Sequence, residues 1–216
     1  MNGIVSATVD RYLDEFTHAQ HDDPVLDEME QRARRLSFPI VGRNVGRFLE
    51  QQARAIAARR VIELGSGFGY SAYWFARAVG AGGEVVCTDL DSENASEAER
   101  FLVHAALWDR IRFHVADAGD VLSAQDGEFD VVFCDADKER YPEHWRNAAE
   151  RIRLGGVYLC DNTLWYGRVA TGEPTPDHPG WTEAIREHNA LVSTDRRYVS
   201  SLLPLRDGVL VALRIS

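Results

Sequence analysis

The 216-residue sequence contains no apolar run of transmembrane length, and its N-terminus lacks the basic-then-apolar pattern of an export signal. That excludes a membrane-spanning class and leads to the expectation of a cytoplasmic protein. Cysteine is scarce: Cys87, Cys134 and Cys160 are widely separated, and each lies in an apolar run. Their spacing fits neither a disulfide framework nor a zinc site, so they read as buried strand thiols in a reduced, intracellular setting. Positive charge is in deficit, with 24 Lys and Arg against 34 Asp and Glu, a formal net charge of −10. A charge of that sign argues against a general nucleic-acid binder, although a local basic pocket is compatible with it. There is no internal repeat and no low-complexity stretch. The length suits one α/β domain with a sizeable core.

What is present divides into an arm and a sheet domain. Residues 1–58 read as an N-terminal helical arm or cap without nucleotide signature, and residues 59–216 as one compact catalytic-type unit. In the arm, residues 8–18 place Val9, Tyr12, Leu13 and Phe16 on one helical face. Asp22-Asp23-Pro24 is a helix start for 25–36, Ser37-Phe38-Pro39 breaks that helix, and 45–56 repeats apolar residues at helical spacing. From residue 60 onward strands and helices alternate. Strands are expected at 61–64, 84–88, 111–115, 129–134 and 157–160. Helices are expected at 71–79, 92–106 and 141–152, the last stopped by Gly155-Gly156. Residues 163–180, rich in proline and glycine, read as a long loop and candidate substrate lid, followed by a helix over 181–191. Residues 197–205 and 209–215 alternate around Arg206-Asp207-Gly208 as a terminal hairpin. Such alternation implies a mainly parallel sheet with helices on both faces and one antiparallel strand.

The most informative stretch is Ile62-Glu63-Leu64-Gly65-Ser66-Gly67-Phe68-Gly69-Tyr70-Ser71, a buried strand running through a glycine turn into a helix N-terminus. Glycine there lets a ligand approach the backbone closely. The spacing is G-x-G-x-G, not the dinucleotide fingerprint G-x-G-x-x-G, and Glu63 would repel an anionic pyrophosphate. A ligand carrying a sulfonium or an amino group suits that carboxylate better, and the stretch resembles motif I of S-adenosylmethionine-dependent methyltransferases. Asp89, about 20 residues beyond Gly69, is placed to accept from a ribose diol; the alternative is a cap for the next helix. Asp117 follows the third strand, as an adenine contact or as a turn acid. Gly65, Asp89, Asp135 and Asp161-Asn162 all fall at carboxyl ends of strands, the edge where open α/β sheets bind ligands.

Asp135-Ala136-Asp137-Lys138 and Asp161-Asn162-Thr163-Leu164-Trp165 supply two carboxylates and an amide oxygen from two strand ends. Hard oxygen donors of this kind suit Mg²⁺, Mn²⁺ or Ca²⁺, with roughly three positions of an octahedral ion left open. Read separately, Asp135 could cap a helix and Asp161-Asn162 could form an Asx turn. Together with Thr88-Asp89-Leu90-Asp91, Tyr141, Gly155-Gly156, Gly167, Leu203-Pro204-Leu205 and Asp207-Gly208, these motifs resemble the small cation-dependent O-methyltransferases, the catechol and caffeoyl-CoA group and their bacterial relatives. The resemblance implies a Rossmann-like class I methyltransferase fold, with a seven-stranded, mostly parallel sheet and an antiparallel C-terminal strand. It implies Asp135, Asp161 and Asn162 as metal ligands, Mg²⁺ first among the candidates, and Lys138 as the base. It also implies that Val41, Glu63, Gly65, Ser66, Gly67, Tyr70, Ser71, Asp89, Asp117, Ala118 and Asp135 hold S-adenosylmethionine. Ala136 places the chain nearer the bacterial and plant branch, and the arm shows no clear basic cluster for a coenzyme A tail.

The expected reaction is methyl transfer to a hydroxyl of a small aromatic vicinal diol, flanked by Trp165 and Tyr166, with Trp181 at the far end of the loop. A homodimer involving the arm is expected. A non-catalytic adenosine-ligand binder would have a degraded metal set, and a nicotinamide oxidoreductase would need the regular dinucleotide spacing.

Overall fold

The computed structural model describes residues 5–19 and 23–216. Seven strands form one sheet: β1 (Arg60–Leu64), β2 (Glu84–Asp89), β3 (Ile111–Val115), β4 (Phe129–Cys134), β5 (Ile152–Cys160), β6 (Tyr198–Leu203) and β7 (Val209–Arg214). Their order is β3-β2-β1-β4-β5-β7-β6. The first five pair in parallel, and β7 runs antiparallel between β5 and β6. The expected mixed sheet is therefore the observed one. The order reverses beside β1, so the crevice at the carboxyl ends of β1 and β4 is a topological switch point.

Alternation along the strands splits the core into two layers. Val61, Val85, Val131, Phe133 and Leu159 face one layer. It is covered by α2 (Pro24–Leu36), α3 (Gly42–Ala55), α4 (Tyr70–Val79) and α5 (Ser92–His104). Ile62, Leu64, Val132, Cys134, Tyr158 and Cys160 face the other. There α6 (Ala118–Ala124), α7 (Tyr141–Ala148) and α9 (Trp181–Thr194) cover them. The central strands are buried on both faces, which is why apolar residues outnumber polar ones in them and do not simply alternate with them. All three cysteines are free thiols buried within strands.

The arm is packed into the first layer. Val25, Leu26 and Met29 of α2 and Val45 and Leu49 of α3 join the same apolar cluster as Val61 and Trp74. Gly46 lies against the Trp74 indole with no room for a Cβ, so α3 and α4 approach closely. The first helix, α1 (Ala7–His18), is capped by Ser6. Asp23 caps α2 as the sequence suggests, with Pro24 at the first position.

Two expectations need correction. The helix expected over 141–152 ends at Ala148, and the following strand begins at Ile152 instead of Val157. Gly155-Gly156 does not stop a helix. Gly155 has φ +75°, and Ile152 and Val157 pair with Phe129 and Val131, so the glycines form a bulge inside β5. A Cβ on Gly156 would sit 2.9 Å from the Asp130 carbonyl, which fixes glycine there. The loop over 163–180 is also less irregular than expected, because it contains a 3₁₀ turn at Trp165–Gly167 and the short α8 (Arg168–Thr171). Among the described residues no helix is long and apolar enough to cross a membrane.

Candidate active site

A cleft of about 1240 Å³ runs along the carboxyl edge of β1, β2, β4 and β5. It is lined by Val41, Gly65, Ser66, Gly67, Tyr70, Ser71, Asp89, Asp117, Ala118, Asp135, Lys138, Asp161 and Asn162. Every sequence-derived site residue except Glu63 therefore reaches one cavity. Its volume exceeds that of a typical single-ligand pocket, as two substrates side by side require.

The glycine turn is held from behind. Thr88 Oγ1 donates to the Glu63 carbonyl at 2.8 Å and accepts from the Gly65 amide at 3.1 Å. Gly65 has φ +88°, and a Cβ there would lie 2.7 Å from the Asp135 carbonyl. Thus β1 and β4 touch at the cleft floor, and only glycine fits. Asp89 accepts from the Gly67 amide at 2.9 Å and from Asn94 Nδ2 at 3.1 Å, so it fixes the turn. The cap of α5 is Asp91, not Asp89. Glu63 is wholly buried behind the lining; burial pushes its carboxyl up to about 7, with hydrogen bonds from Ser71, Ser66 and Cys87 opposing the rise.

Asp117 serves as the cap of α6, accepting from the Gly119 and Asp120 amides, and it pairs with Arg140. The hydrogen bond from Arg140 holds its carboxyl below the ordinary range. The turn-acid alternative thus describes its contacts within the chain, while it still lines the cleft. Tyr70 reaches back to the arm, where its hydroxyl donates to Glu30 Oε1 at 2.9 Å. Glu30 also accepts from Arg43 Nε at 2.6 Å. The sequence reading missed Glu30 and Arg43, whose spacing does not distinguish them from ordinary helix residues, and gave Thr88 no role beyond its place in the Thr88-Asp89-Leu90-Asp91 motif.

At the ends of β4 and β5 the acids converge. Lys138 Nζ donates to Asp135 Oδ1 at 2.7 Å and to the Ala136 carbonyl at 3.2 Å. The cap of the turn that follows is Asp137, which leaves Asp135 facing the cleft. Asp161 is buried, and its Oδ1 has no hydrogen-bond partner among the described residues. Burial, then the charge of Asp135, pushes its carboxyl up to about 7. Asn162 adopts φ +57° beside it, and Tyr141 Oη fixes the Asp161 carbonyl at 3.1 Å. Two acids in a low-dielectric corner, one with an orphaned oxygen, form a site short of positive charge. The set fits a hard divalent ion, with Asp135, Asp161 and the Asn162 amide as donors. Among the described residues no three His, Cys, Asp or Glu side chains converge on a candidate metal position. Among the described residues Lys138 carries the positive charge bonded to Asp135, and against the opposing effect of burial the charges of Asp135 and Asp161 hold its ammonium above the ordinary value.

The opposite wall is aromatic. Trp165 lies 5.3 Å from Tyr166 and 5.4 Å from Trp181, ring centre to ring centre, and His178 stacks on Trp181 at 3.8 Å. Trp165, Tyr166 and Trp181 line the cleft. The hairpin turn before β7 supports this wall, because buried Asp207 accepts from the Tyr166 amide.

Comparison with known proteins agrees with this geometry. The sequence matches the O-methyltransferase family over residues 16–215. It is 29% identical to the caffeoyl-CoA O-methyltransferase of Populus kitakamiensis, covering 98% of this chain and 95% of the relative. It is 28% identical to the catechol O-methyltransferase of Niastella koreensis over 99% of both chains. The fold superposes with a TM-score of 0.84 on the O-methyltransferase TomG from Streptomyces achromogenes, involved in tomaymycin synthesis and solved with S-adenosylmethionine. That protein is 28% identical, with coverage of 97% of this chain and 96% of the other. With nearly the whole chain matched and the cleft residues gathered at the switch point, the protein belongs to the O-methyltransferase family and is an S-adenosylmethionine-dependent O-methyltransferase.

Proposed function

We propose that the enzyme methylates one hydroxyl of a small aromatic vicinal diol with the help of a divalent cation, Mg²⁺ first among the candidates, held by Asp135, Asp161 and Asn162. The observation that carries this reading is the orphaned, buried Asp161 oxygen beside Asp135, in the same cleft as the glycine turn. Such a cation supplies positive charge that acidifies a neighbouring hydroxyl. The chain's own residues do the rest. Gly65, Ser66, Gly67, Tyr70, Ser71, Asp89, Asp117 and Ala118 seat the methyl donor, with Val41 closing it from the arm. Glu63, behind them, sets the charge of the floor. Lys138 accepts the acceptor's proton. Trp165 and Tyr166 flank a flat ring and orient its oxygen toward the methyl carbon. Alignment of this kind contributes roughly 7–11 kcal/mol in favourable cases.

The test is a pairwise comparison of catechol with phenol, and of caffeate with 4-coumarate, at saturating donor and Mg²⁺. The diol in each pair should react far faster and give a single monomethyl product by mass spectrometry. Excess EDTA should silence the enzyme, and Mg²⁺ or Mn²⁺ should restore it. Equal rates for mono- and dihydroxy partners would overturn the diol reading, and full activity in EDTA would overturn the cation.

We further infer a cytoplasmic homodimer. The exposed Val9, Tyr12 and Phe16 on α1 form an apolar stripe suited to a second copy. A monomer by light scattering at micromolar concentration would remove the dimer.

A further inference from the structure

The cleft is lined by five Arg and Lys side chains: Arg34, Arg43, Lys138, Arg140 and Arg206. Four are committed to carboxylates. Arg34 lies 3.8 Å from Glu30, Arg43 is held by Glu30 and Asp27, Lys138 by Asp135, and Arg140 by Asp117 and Glu143. Arg206 has no carboxylate partner within 4.0 Å among the described residues. Its Nη1 donates to the Ile40 carbonyl at 2.6 Å, which anchors one edge of the guanidinium on the segment entering α3. The remaining donors of the fork are unused within the described chain. An arginine with one edge fixed and the other free is pre-organised for an oxyanion.

Its position favours the acceptor. Arg206 sits in the β6–β7 turn next to Asp207, whose carboxylate holds the Tyr166 amide of the aromatic wall. The Arg206 guanidinium also lies against Gly42, 3.1 Å from where a Cβ would stand, so the side chain spans from the hairpin turn to the segment entering α3. The backbone adds a further sign. Arg206 adopts φ +49°, a conformation glycine would take without cost, yet the turn presents a long cation here. In a chain of net charge −10, an arginine without a carboxylate partner among the described residues favours the approach of an anionic acceptor.

We infer that Arg206 is a specificity-determining residue that recognises a carboxylate on the methyl acceptor, so that the preferred substrate class is an ortho-dihydroxyaryl carboxylate over a neutral catechol. This rests on the acceptor site proposed above.

The test combines turnover with direct binding. Wild type, Arg206→Ala and Arg206→Lys are assayed with 3,4-dihydroxybenzoate, catechol and caffeoyl-CoA at saturating donor and Mg²⁺. Calorimetry then measures benzoate and S-adenosylhomocysteine binding, the benzoate titration being made on the S-adenosylhomocysteine complex. In Arg206→Ala, the ratio of kcat/KM for 3,4-dihydroxybenzoate over catechol should fall roughly 10- to 100-fold, as expected for one lost charge-assisted hydrogen bond, with the loss in KM. Arg206→Lys should recover part of it, and benzoate affinity should follow the same order. An unchanged ratio together with unchanged benzoate affinity overturns the inference. So does a fall in S-adenosylhomocysteine affinity that lowers both acceptors equally, since Arg206 would then serve the donor. A preference for caffeoyl-CoA that is lost in Arg206→Ala while benzoate is ignored also overturns it, in favour of a phosphate contact. If the wild type methylates no diol but binds benzoate through Arg206, the diol reading fails and the carboxylate site stands.

Discussion

Asp161→Asn is expected to abolish methyl transfer, by a factor on the order of 10³ or more, and at the same time to make the cation-free protein more heat-stable at pH 8. The two effects have one cause. Burial and the neighbouring Asp135 charge raise the Asp161 carboxyl from an ordinary 3.8 to about 7. Between those pH values the folded chain keeps a proton that the unfolded chain has released. Stability therefore falls as pH rises through that window and levels off above about 7. A rise of about three pH units corresponds to roughly 4 kcal/mol at most. Asparagine has no charge to bury, so the variant should gain most at pH 8 and little near pH 4. At this chain length each kcal/mol moves Tm by about 2–4 °C. Glu63 is raised in the same direction but is present in both proteins, so the difference between their Tm–pH curves isolates Asp161. Excess Mg²⁺ should stabilise the wild type and not the variant, and S-adenosylhomocysteine should bind both with similar affinity. Asp89→Ala, which removes the acceptor of the Gly67 amide, should lose S-adenosylhomocysteine instead. A wild type that gains Tm relative to Asp161→Asn between pH 5 and 8 in EDTA would overturn the electrostatic account. Equal loss of S-adenosylhomocysteine in both variants would overturn the division of roles.

The parts of this site that the sequence reveals are those where one residue type has one physical use at that place. Gly65 is such a case, because it follows β1 and the backbone of Asp135-Ala136 leaving the neighbouring strand has no room for a Cβ there. Asp135 and Asp161-Asn162, each open to a cap or a turn when read alone, stand out only together, as acids at strand ends that the fold brings to one cleft. Residues with two uses mislead. A Gly-Gly pair after a helix reads as a stop, yet it also makes a bulge, and only the pairing of β4 with β5 decides between them. Asp117 reads as an adenine contact or as a turn acid, and within the chain it caps α6. Long-range partners leave no local trace at all. Glu30 and Arg43 look like solvent-facing helix charges, but they meet Tyr70 in a buried network at the wall of the cleft. Arg206 looks like part of a hairpin turn until the fold brings Ile40 against it.

Lys138 poses the sharpest question of chemistry, because the structure holds it in the wrong protonation state for a base. Its ammonium donates to Asp135 at 2.7 Å, and Asp135 and Asp161 keep it protonated despite burial. Lys138→Met is expected to lower kcat by roughly 10²–10⁴ with a smaller change in KM, the signature of a group that acts in proton transfer. For that role the amine has to become easier to deprotonate when the site is loaded. A divalent charge engaging Asp135 and Asp161 would remove both influences that favour the ammonium and add a repulsive one. Lys138 is the only lysine in the sequence, so isotopic labelling of lysine gives a single side-chain resonance set whose titration can be followed directly. Without cation that resonance should titrate above the ordinary lysine range of about 10.4, and with Mg²⁺ and S-adenosylhomocysteine it should move down. The alkaline behaviour of the enzyme should move with it. If the resonance stays high in both states, Lys138 remains an ammonium throughout and acts by orienting Asp135. In that case Lys138→Arg, which keeps the charge and cannot release its proton near neutrality, should retain most of the activity. If Lys138 is the base, the same variant should be nearly as impaired as Lys138→Met, and the two proteins side by side decide between the roles.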